Sequence, residues 1–204
     1  MDRQSRQMRA IASKFNTRDS EEGLFLECYF SVFNSIYELW DGATESVAPG
    51  AFTNTLGGDI RALIDHETRL VLGRNKAGTL ELREDAHGLW GRVKVNPNDQ
   101  DAVNLYERVK RGDVDQCSFG FDIVREDTEI RQDNTVHWTI REVKLYEVSV
   151  VTFPAYTDTS VSARRRDFDE IRKREIEKWR LEMRSRVKGE AYGTESADAA
   201  KADQ

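Results

Sequence analysis

The chain has 204 residues, with a hydrophobic fraction of 38% and a charged fraction of 33%, which fits one domain with a hydrophobic core and polar extensions. Its formal net charge of −6 repels phosphate backbones, so we expect no nucleic-acid partner for the surface as a whole. No apolar run reaches the length of about 20 residues that spans a bilayer, and the first residues lack a signal-peptide core, so we expect a cytosolic protein with no membrane partner.

The first half of the chain is predicted to be rich in strands. Residues 1–22 are polar and are expected to form a mobile arm, or an early strand at most. From Leu24 to Tyr37, aromatic and β-branched residues indicate the first core strand. Further short strands are predicted where apolar runs lie between turn residues, at Ile60–Ile64, Leu70–Gly73, Thr79–Arg83 and Leu89–Val95. Their even spacing is typical of a barrel or a sandwich.

One helix interrupts the strands. Apolar residues recur at helical spacing between Asp99 and Arg111, an acidic residue opens this segment, and Gly112 follows its basic end. Strand character returns at Cys117–Arg125 and Val136–Val151, and the polar residues between these two strands are expected to form a loop. The sequence therefore predicts a mainly β domain, residues 23–162, with flanking helices.

The C-terminal part of the chain is a dense mixture of charges. Ile176, Trp179 and Met183 follow one another at three- and four-residue spacing, which predicts a charged amphipathic helix over residues 163–188 with a narrow apolar stripe. Residues 189–204 are small and polar, so we expect a disordered tail.

Ser118 is a candidate nucleophile. Cys117 and Ser118 precede the run Phe119-Gly120-Phe121 in a predicted strand, where neighbouring side chains point to opposite faces. Only one of the two nucleophilic side chains can therefore face a given site. Gly120 permits the close approach of another backbone. From this pattern alone, Ser118 can also be an ordinary strand serine.

His66 and Glu147 are candidates for acid–base chemistry. His66 follows a predicted strand and lies between Asp65 and Glu67, where it is either a general base or a solvated turn residue. If the strand continues, Asp65 points away from the His66 face, so the group that orients the imidazole comes from elsewhere. Glu147 interrupts an apolar strand, and a partnership with His66 would offset the cost of burying its charge. A surface-facing glutamate on an edge strand is the alternative.

The other histidines and the cysteines point to no metal or cofactor. His87 belongs to a predicted turn and His137 to an alternating strand, so both are expected at the surface. No pair of histidines has the spacing of helical zinc ligands. Cys28 and Cys117 are not part of a CxxC pattern, and we expect free thiols.

An ordered series of short sequence patterns lies between Leu24 and Ser162. The series consists of Val32-Phe33-Asn34, Val47-Ala48-Pro49-Gly50-Ala51-Phe52, Asp65-His66-Glu67, Leu72-Gly73-Arg74, Gly78-Thr79-Leu80, Glu84-Asp85 with Gly88-Leu89, Cys117-Ser118-Phe119-Gly120-Phe121, and Glu147-Val148-Ser149-Val150-Val151-Thr152-Phe153-Pro154-Ala155-Tyr156. This series resembles the prohead protease family of tailed bacteriophages. Each pattern is weak alone, whereas the whole series in this order is specific.

The resemblance implies a fold and a set of catalytic residues. The family is similar in fold to the herpesvirus assembly proteases, which implies an antiparallel β-barrel of the herpesvirus-assemblin type in the domain 23–162. By position, Ser118 matches the family serine, the nucleophile, and His66 matches the family histidine, the general base. Glu147 matches an acidic position that we expect to be the third member, where the herpesvirus enzymes have a histidine. Backbone amides near Phe153–Tyr156 are the expected oxyanion donors, by analogy with those enzymes.

The resemblance also implies a function. A serine endopeptidase of this family would cleave scaffold material, including a segment of the major capsid protein, and we expect it to cleave its own tail. It would be packaged inside the immature capsid in the host cytoplasm, with the charged helix as a docking element and a homodimer as one possible state. A second enzymatic hypothesis makes Cys117 the nucleophile. A third treats the chain as a catalytically silent assembly protein.

Overall fold

The computed structural model describes residues 6–21, 23–131, 133, 135–153 and 158–199. Within these residues the chain is mainly β, with two α-helices, α1 (Gln100–Arg111) and α2 (Asp158–Ala199). The strands are β1 (Gln7–Ala12), β2 (Asn16–Ser20), β3 (Gly23–Val32), β4 (Tyr37–Trp40), β5 (Ala43–Val47), β6 (Arg61–Ile64), β7 (Glu67–Arg74), β8 (Leu80–Glu84), β9 (Gly88–Val95), β10 (Gln116–Ile130) and β11 (Val136–Val151).

The described strands form two sheets. The larger sheet has the order β1-β10-β11-β5-β4, and β6 pairs with both β11 and β7. The smaller sheet has the order β2-β3-β9-β8. β11 is 16 residues long and pairs in parallel with β5 near its start and with β6 near its end. The prediction of a mainly β fold is therefore confirmed, and the pairings among the described strands do not close a barrel.

The larger sheet is strongly bent. Arg9 of β1 is aligned with Phe119 of β10, which in turn pairs with Val148 of β11. On the other side of β11, Glu45 of β5 is aligned with Trp138. These two positions of β11 are ten residues apart (138 to 148), about 33 Å in a straight strand. Arg9 nevertheless binds Glu45 through both carboxylate oxygens, so β10 and β11 must curve back. Three register irregularities in the β10–β11 pair supply local bends of this kind.

The N-terminal segment, residues 1–22, was expected to form a mobile arm, or an early strand at most. Within its described residues it forms the strands β1 and β2 and not a mobile arm. Sequence patterning did not decide between these alternatives, because one inward position of β1 is Arg9, which is 3% exposed and is neutralised by the fully buried carboxylate of Glu45.

We expect Glu45→Ala to destabilise the protein by about 3–5 kcal/mol, because the substitution leaves the Arg9 charge buried without its carboxylate partner. The double variant Arg9→Met/Glu45→Leu should recover much of this loss. Chemical denaturation measures both values. Glu81→Ala is the matched control, since it removes the exposed ion pair with Arg92 and should cost less than about 1 kcal/mol. Equal losses in Glu45→Ala and Glu81→Ala would contradict this interpretation.

The predicted helix is confirmed as α1. The Asp99 side chain accepts hydrogen bonds from two backbone amides of the first turn, and Gly112 ends the helix at φ 89°. The buried residues of α1 are Ala102, Leu105, Tyr106 and Val109, which is one helical stripe.

Other element boundaries differ from the prediction. Leu24–Tyr37 is not one strand, because β3 ends at Val32 and Tyr37 begins β4. The predicted loop 126–135 is partly strand, since β10 continues to Ile130 as an exposed ribbon paired with β11. This part of β10 was predicted to be a loop because its side chains are mostly polar and exposed, so the sequence shows no alternation of apolar and polar residues there.

The helix α2 is longer than predicted. It covers residues 158–199, instead of 163–188, so the expected disordered tail is helical as far as Ala199, and residues 200–204 lie outside the described part. The chain divides into two compact units, residues 1–161 and residues 162–204. No helix among the described residues is both long and apolar enough to cross a membrane.

Candidate active site

His66 lies in a two-residue turn between β6 and β7. Asp65 and His66 have φ values of 48° and 62°, and positive φ at both central positions is the signature of the type I′ hairpin turn. The Asp65 carboxylate accepts hydrogen bonds from the backbone amide of Thr152 (2.7 Å) and from its hydroxyl (3.2 Å). The Asp65 amide donates to the Val150 carbonyl oxygen (2.9 Å). Asp65 therefore fixes the turn to the end of β11.

The imidazole of His66 is held by Glu147. His66 Nδ1 lies 2.7 Å from Glu147 Oε1, and the two side chains are 12% and 5% exposed. The hydroxyl of Ser149 donates a hydrogen bond of 2.7 Å to Glu147 Oε2, so both carboxylate oxygens have a partner. An ionised carboxylate only accepts hydrogen bonds, so beside an ionised Glu147 the ring proton of this contact lies on Nδ1, and Nε2 keeps its lone pair.

Ser118 lies on the strand next to Glu147 and on the same face. Ser118 is paired with Ser149, and Gly120 with Glu147, in the β10–β11 register, and directly opposed residues share a face of the sheet. Ser118 Oγ and His66 Nε2 are both buried, and neither has a hydrogen-bond partner among the described residues. These are the two atoms that a proton transfer between His66 and Ser118 would join, although no hydrogen bond links them in the structure.

Gly120 leaves the space that Glu147 occupies. A Cβ atom at position 120 would overlap Glu147 Oε1 and crowd the rest of that carboxylate side chain. The sequence analysis expected another backbone to approach Gly120, whereas in the structure the side chain of Glu147 occupies this space. The glycine between Phe119 and Phe121 is therefore part of the arrangement that orients His66.

We expect Gly120→Ala to lower kcat/KM for peptide cleavage by about 10²-fold or more, because displacement of the Glu147 carboxylate misplaces the imidazole. Steady-state kinetics measures this loss, and thermal unfolding checks that the variant folds. Gly57→Ala is the matched control, since a Cβ at position 57 meets no atom within 4 Å. An unchanged kcat/KM in folded Gly120→Ala would show that the carboxylate position is not critical.

Cys117 faces away from this arrangement. Its Sγ atom lies 3.8 Å from Cys28 Sγ and donates to the Tyr29 carbonyl oxygen at 3.0 Å. Both cysteines are buried free thiols, and burial together with the Cys117 hydrogen bond raises the pKa of the Cys28 thiol well above its usual value. The pair of thiols packs in the core on the opposite side of β10, which favours Ser118 over Cys117 as the nucleophile.

A cavity of about 270 Å³ adjoins Glu147 on this side of the sheet. We call it the Arg61 cavity. Its lining residues are Arg6, Asp59, Arg61, Leu63, Thr68, Tyr146 and Glu147. Leu63 is paired with Ser149, the residue opposite Ser118, so the cavity lies about two strand spacings, roughly 10 Å, from the candidate nucleophile.

The other histidines lie elsewhere. His87 is exposed as predicted, but the prediction for His137 was wrong, because it is only 8% exposed. Its ring nitrogens lie 2.8 Å from the Thr44 hydroxyl and 2.9 Å from the Ser46 hydroxyl. Burial lowers the pKa of His137, which favours the neutral ring. Both hydroxyl groups belong to β5, a strand that the sequence analysis did not predict.

Of the segment expected to supply oxyanion donors, only Phe153 is described, and its side chain is 79% exposed. Residues 154–156 lie outside the described part of the chain. Among the described residues, no group of three histidine, cysteine or acidic side chains is placed to hold a metal ion.

A histidine held by a buried carboxylate, beside a serine on the neighbouring strand, is the arrangement found in hydrolases with a serine nucleophile. The chain belongs to the family described as the Caudovirus prohead serine protease, whose profile matches residues 10–174. It is 30% identical over 182 residues to the prohead protease of Enterobacteria phage HK97, covering 87% of this chain and 76% of that protein. The capsid assembly protease of bacteriophage T4 has 9% identity and a TM-score of 0.47, covering 72% of this chain and 96% of that one.

The family profile and the HK97 relative confirm the family resemblance seen in the ordered sequence patterns. The protein is a protease of phage prohead maturation. The hypothesis of a catalytically silent assembly protein is not favoured.

Proposed function

We propose that this protein is a serine endopeptidase in which Ser118 is the nucleophile, His66 the general base and Glu147 the third catalytic residue. The observation that carries the proposal is the 2.7 Å hydrogen bond between His66 Nδ1 and the buried Glu147 carboxylate, on the face of the sheet that also carries Ser118. This bond leaves the other ring nitrogen, Nε2, without a hydrogen-bond partner among the described residues, so it can accept a proton.

In the proposed reaction, Ser118 Oγ attacks the peptide carbonyl carbon while His66 Nε2 takes the hydroxyl proton. The tetrahedral intermediate collapses when His66 returns this proton to the leaving amine, and an acyl-enzyme ester remains. Water, deprotonated by the same nitrogen, then releases the acid product and restores Ser118. Glu147 stays ionised, holds the ring orientation and stabilises the imidazolium, and Ser149 holds Glu147.

Substrate binding must bring the Ser118 hydroxyl and the His66 imidazole together before this reaction can begin. Ser118 is fully buried and its hydroxyl has no hydrogen-bond partner among the described residues. Active-site hydrogen bonds often tighten only in the substrate complex. The bound peptide would therefore bring Ser118 Oγ and His66 Nε2 into contact.

The proposed substrates are scaffold material and a segment of the major capsid protein, inside the immature capsid in the host cytoplasm. The name of the HK97 relative, a prohead protease, supports this choice. We further propose that the bent larger sheet corresponds to the barrel of the herpesvirus-assemblin type. Its curvature, recorded by the Arg9–Glu45 ion pair, supports that correspondence.

The helix α2 is the proposed docking element for the capsid or scaffold partner, and a homodimer is the other state it could support. Ile176, Trp179 and Met183 are 45%, 58% and 38% exposed, so the helix presents apolar side chains among its charges. We also propose that the C-terminal tail is cleaved by the protease itself. An intact C-terminus in the mass spectrum of the active protein would contradict that last claim.

Coexpression with the major capsid protein of the same phage tests the proposed function. We expect a truncated capsid protein with the wild-type chain and only full-length capsid protein with His66→Ala, because the general base is lost. His87→Ala is the control, since His87 is exposed and lies outside the site. Intact mass spectrometry of the capsid protein measures the outcome. Equal truncation by His66→Ala would rule out His66 as the base.

A further inference from the structure

The Arg61 cavity is placed to receive a substrate side chain close to the scissile bond. It adjoins Glu147, and it lies about 10 Å from Ser118 along the aligned positions Ser149 and Leu63. An extended peptide advances about 3.4 Å per residue, so a chain that reaches Ser118 passes the cavity within about three residues of the bond to be cleaved.

The wall of the cavity beside His66 is open. Thr68 belongs to β7, which begins directly after the His66 turn, and it is exposed. Between Glu67 and Val71, no residue of β7 has a partner on β6, so this part of the strand bulges from the sheet. A peptide can therefore approach the cavity over the start of β7.

Both acidic groups of the cavity already have partners. Arg74 binds both oxygens of Asp59, at 2.6 and 2.8 Å, and this contact lowers the pKa of Asp59 below its usual value. Glu147 accepts hydrogen bonds from His66 and from Ser149 but keeps its negative charge. With Arg74 counted, three guanidinium groups, those of Arg6, Arg61 and Arg74, face these two carboxylates.

The cationic groups of the cavity are only weakly engaged. Arg61 reaches Asp59 through one long contact of 3.3 Å, and its side chain is 44% exposed. The Arg6 guanidinium lies 4.6 Å from the centre of the Tyr146 ring. The Tyr146 hydroxyl, in turn, donates to Asp122 (2.5 Å). The cavity therefore carries an excess of positive charge, and the planar Arg61 guanidinium suits bidentate binding of a carboxylate.

We propose that the Arg61 cavity binds an aspartate or glutamate side chain of the substrate, and that Arg61 determines this specificity. The inference rests on the proposed function, because it names the substrate class of the same site. The carboxylate of the newly formed C-terminus has the same chemistry, and the experiment separates the two sources.

The test uses synthetic peptides that span a processing site mapped in the major capsid protein. In each peptide one acidic residue near the scissile bond is replaced by its amide or by lysine. For one acidic position, we expect the amide to lower kcat/KM by about 10- to 100-fold with the wild-type enzyme, the size of a charge-assisted hydrogen bond. Arg61→Gln should lose the same factor on the acidic peptide and lose nothing further on the amide. Arg61→Glu should prefer the lysine peptide.

Controls separate this proposal from the proposed function. Arg18→Glu reverses the charge of an exposed arginine on β2 of the smaller sheet that does not line the cavity, and it should leave the peptide preference unchanged. A fluorophosphonate reagent should label Ser118 in all of these variants.

If the wild-type chain neither reacts with the reagent nor cleaves a peptide, the proposed function fails. If it cleaves but Arg61→Glu keeps the preference for the acidic peptide, only the cavity proposal fails. An effect of Arg61 on product inhibition alone would assign the cavity to the product carboxylate and contradict the side-chain proposal.

Discussion

Ser118→Ala is expected to lower peptide cleavage by about 10⁴-fold or more, because the substitution removes the hydroxyl that is the proposed nucleophile and so prevents formation of the acyl-enzyme. The folded state should not suffer. Ser118 Oγ is buried with no hydrogen-bond partner among the described residues, and removing an unsatisfied buried hydroxyl is neutral or stabilising. Single-turnover cleavage of the capsid protein, together with thermal unfolding, measures both quantities.

Two variants sharpen this prediction. Ser149→Ala removes the serine directly opposite Ser118, and it should reduce activity far less, since Ser149 only holds the Glu147 carboxylate. Cys117→Ala should retain activity while losing some stability, because its sulfur packs against Cys28 in the core. Inactivity of folded Cys117→Ala with full activity of Ser118→Ala would reverse the assignment of the nucleophile.

Glu147→Gln is expected to lower kcat/KM by about 10⁴-fold with little change in structure, the size of the effect of a comparable substitution in serine proteases. The amide nitrogen of glutamine can donate to Nδ1, which favours the ring tautomer with its proton on Nε2, where it cannot accept the serine proton. Since Ser149 donates to the second carboxylate oxygen, the glutamine amide group has its oxygen drawn toward Ser149 and its nitrogen toward the ring. Steady-state kinetics on a capsid-derived peptide measures the loss.

Glu142→Gln is the matched control for Glu147→Gln. Glu142 lies on the same strand, β11, and accepts a hydrogen bond of 2.9 Å from Asn54 at the surface, away from His66. Its substitution should leave kcat/KM within about twofold, since exposed polar contacts contribute little. Comparable losses in the two variants would mean that Glu147 acts through the stability of β11 and not through the imidazole.

Elements with local signals could be predicted from the sequence, and those with non-local causes could not. The helix α1 has its cap, its stripe and its terminal glycine within one segment, so it was found with nearly correct ends. The strand β1 depends on a glutamate 36 positions away that neutralises Arg9, which no local pattern contains. The parallel pairing of β11 with both β5 and β6 is equally invisible in a single strand.

The same distinction applies to the candidate site. Burying a carboxylate without a partner is costly, and Glu147 lies in an apolar strand. The sequence therefore predicted a partner for Glu147, with His66 as the candidate. A turn at His66 was one of the two alternatives, but its left-handed backbone was not predicted, because it is accompanied by contacts of Asp65 with Thr152, 87 positions away. The space made by Gly120 became visible only once the register of β10 and β11 was known.

The turn that carries His66 should also limit which sequences the hairpin accepts. Both of its residues adopt a left-handed backbone, which asparagine, aspartate, histidine and glycine tolerate and β-branched residues do not. In a library that randomises positions 65 and 66, we expect folded survivors to be confined to this small set, whatever their catalytic ability. Two separate requirements therefore restrict the residue types accepted at position 66. The proposed reaction requires an imidazole, and the turn requires a residue that tolerates a left-handed backbone.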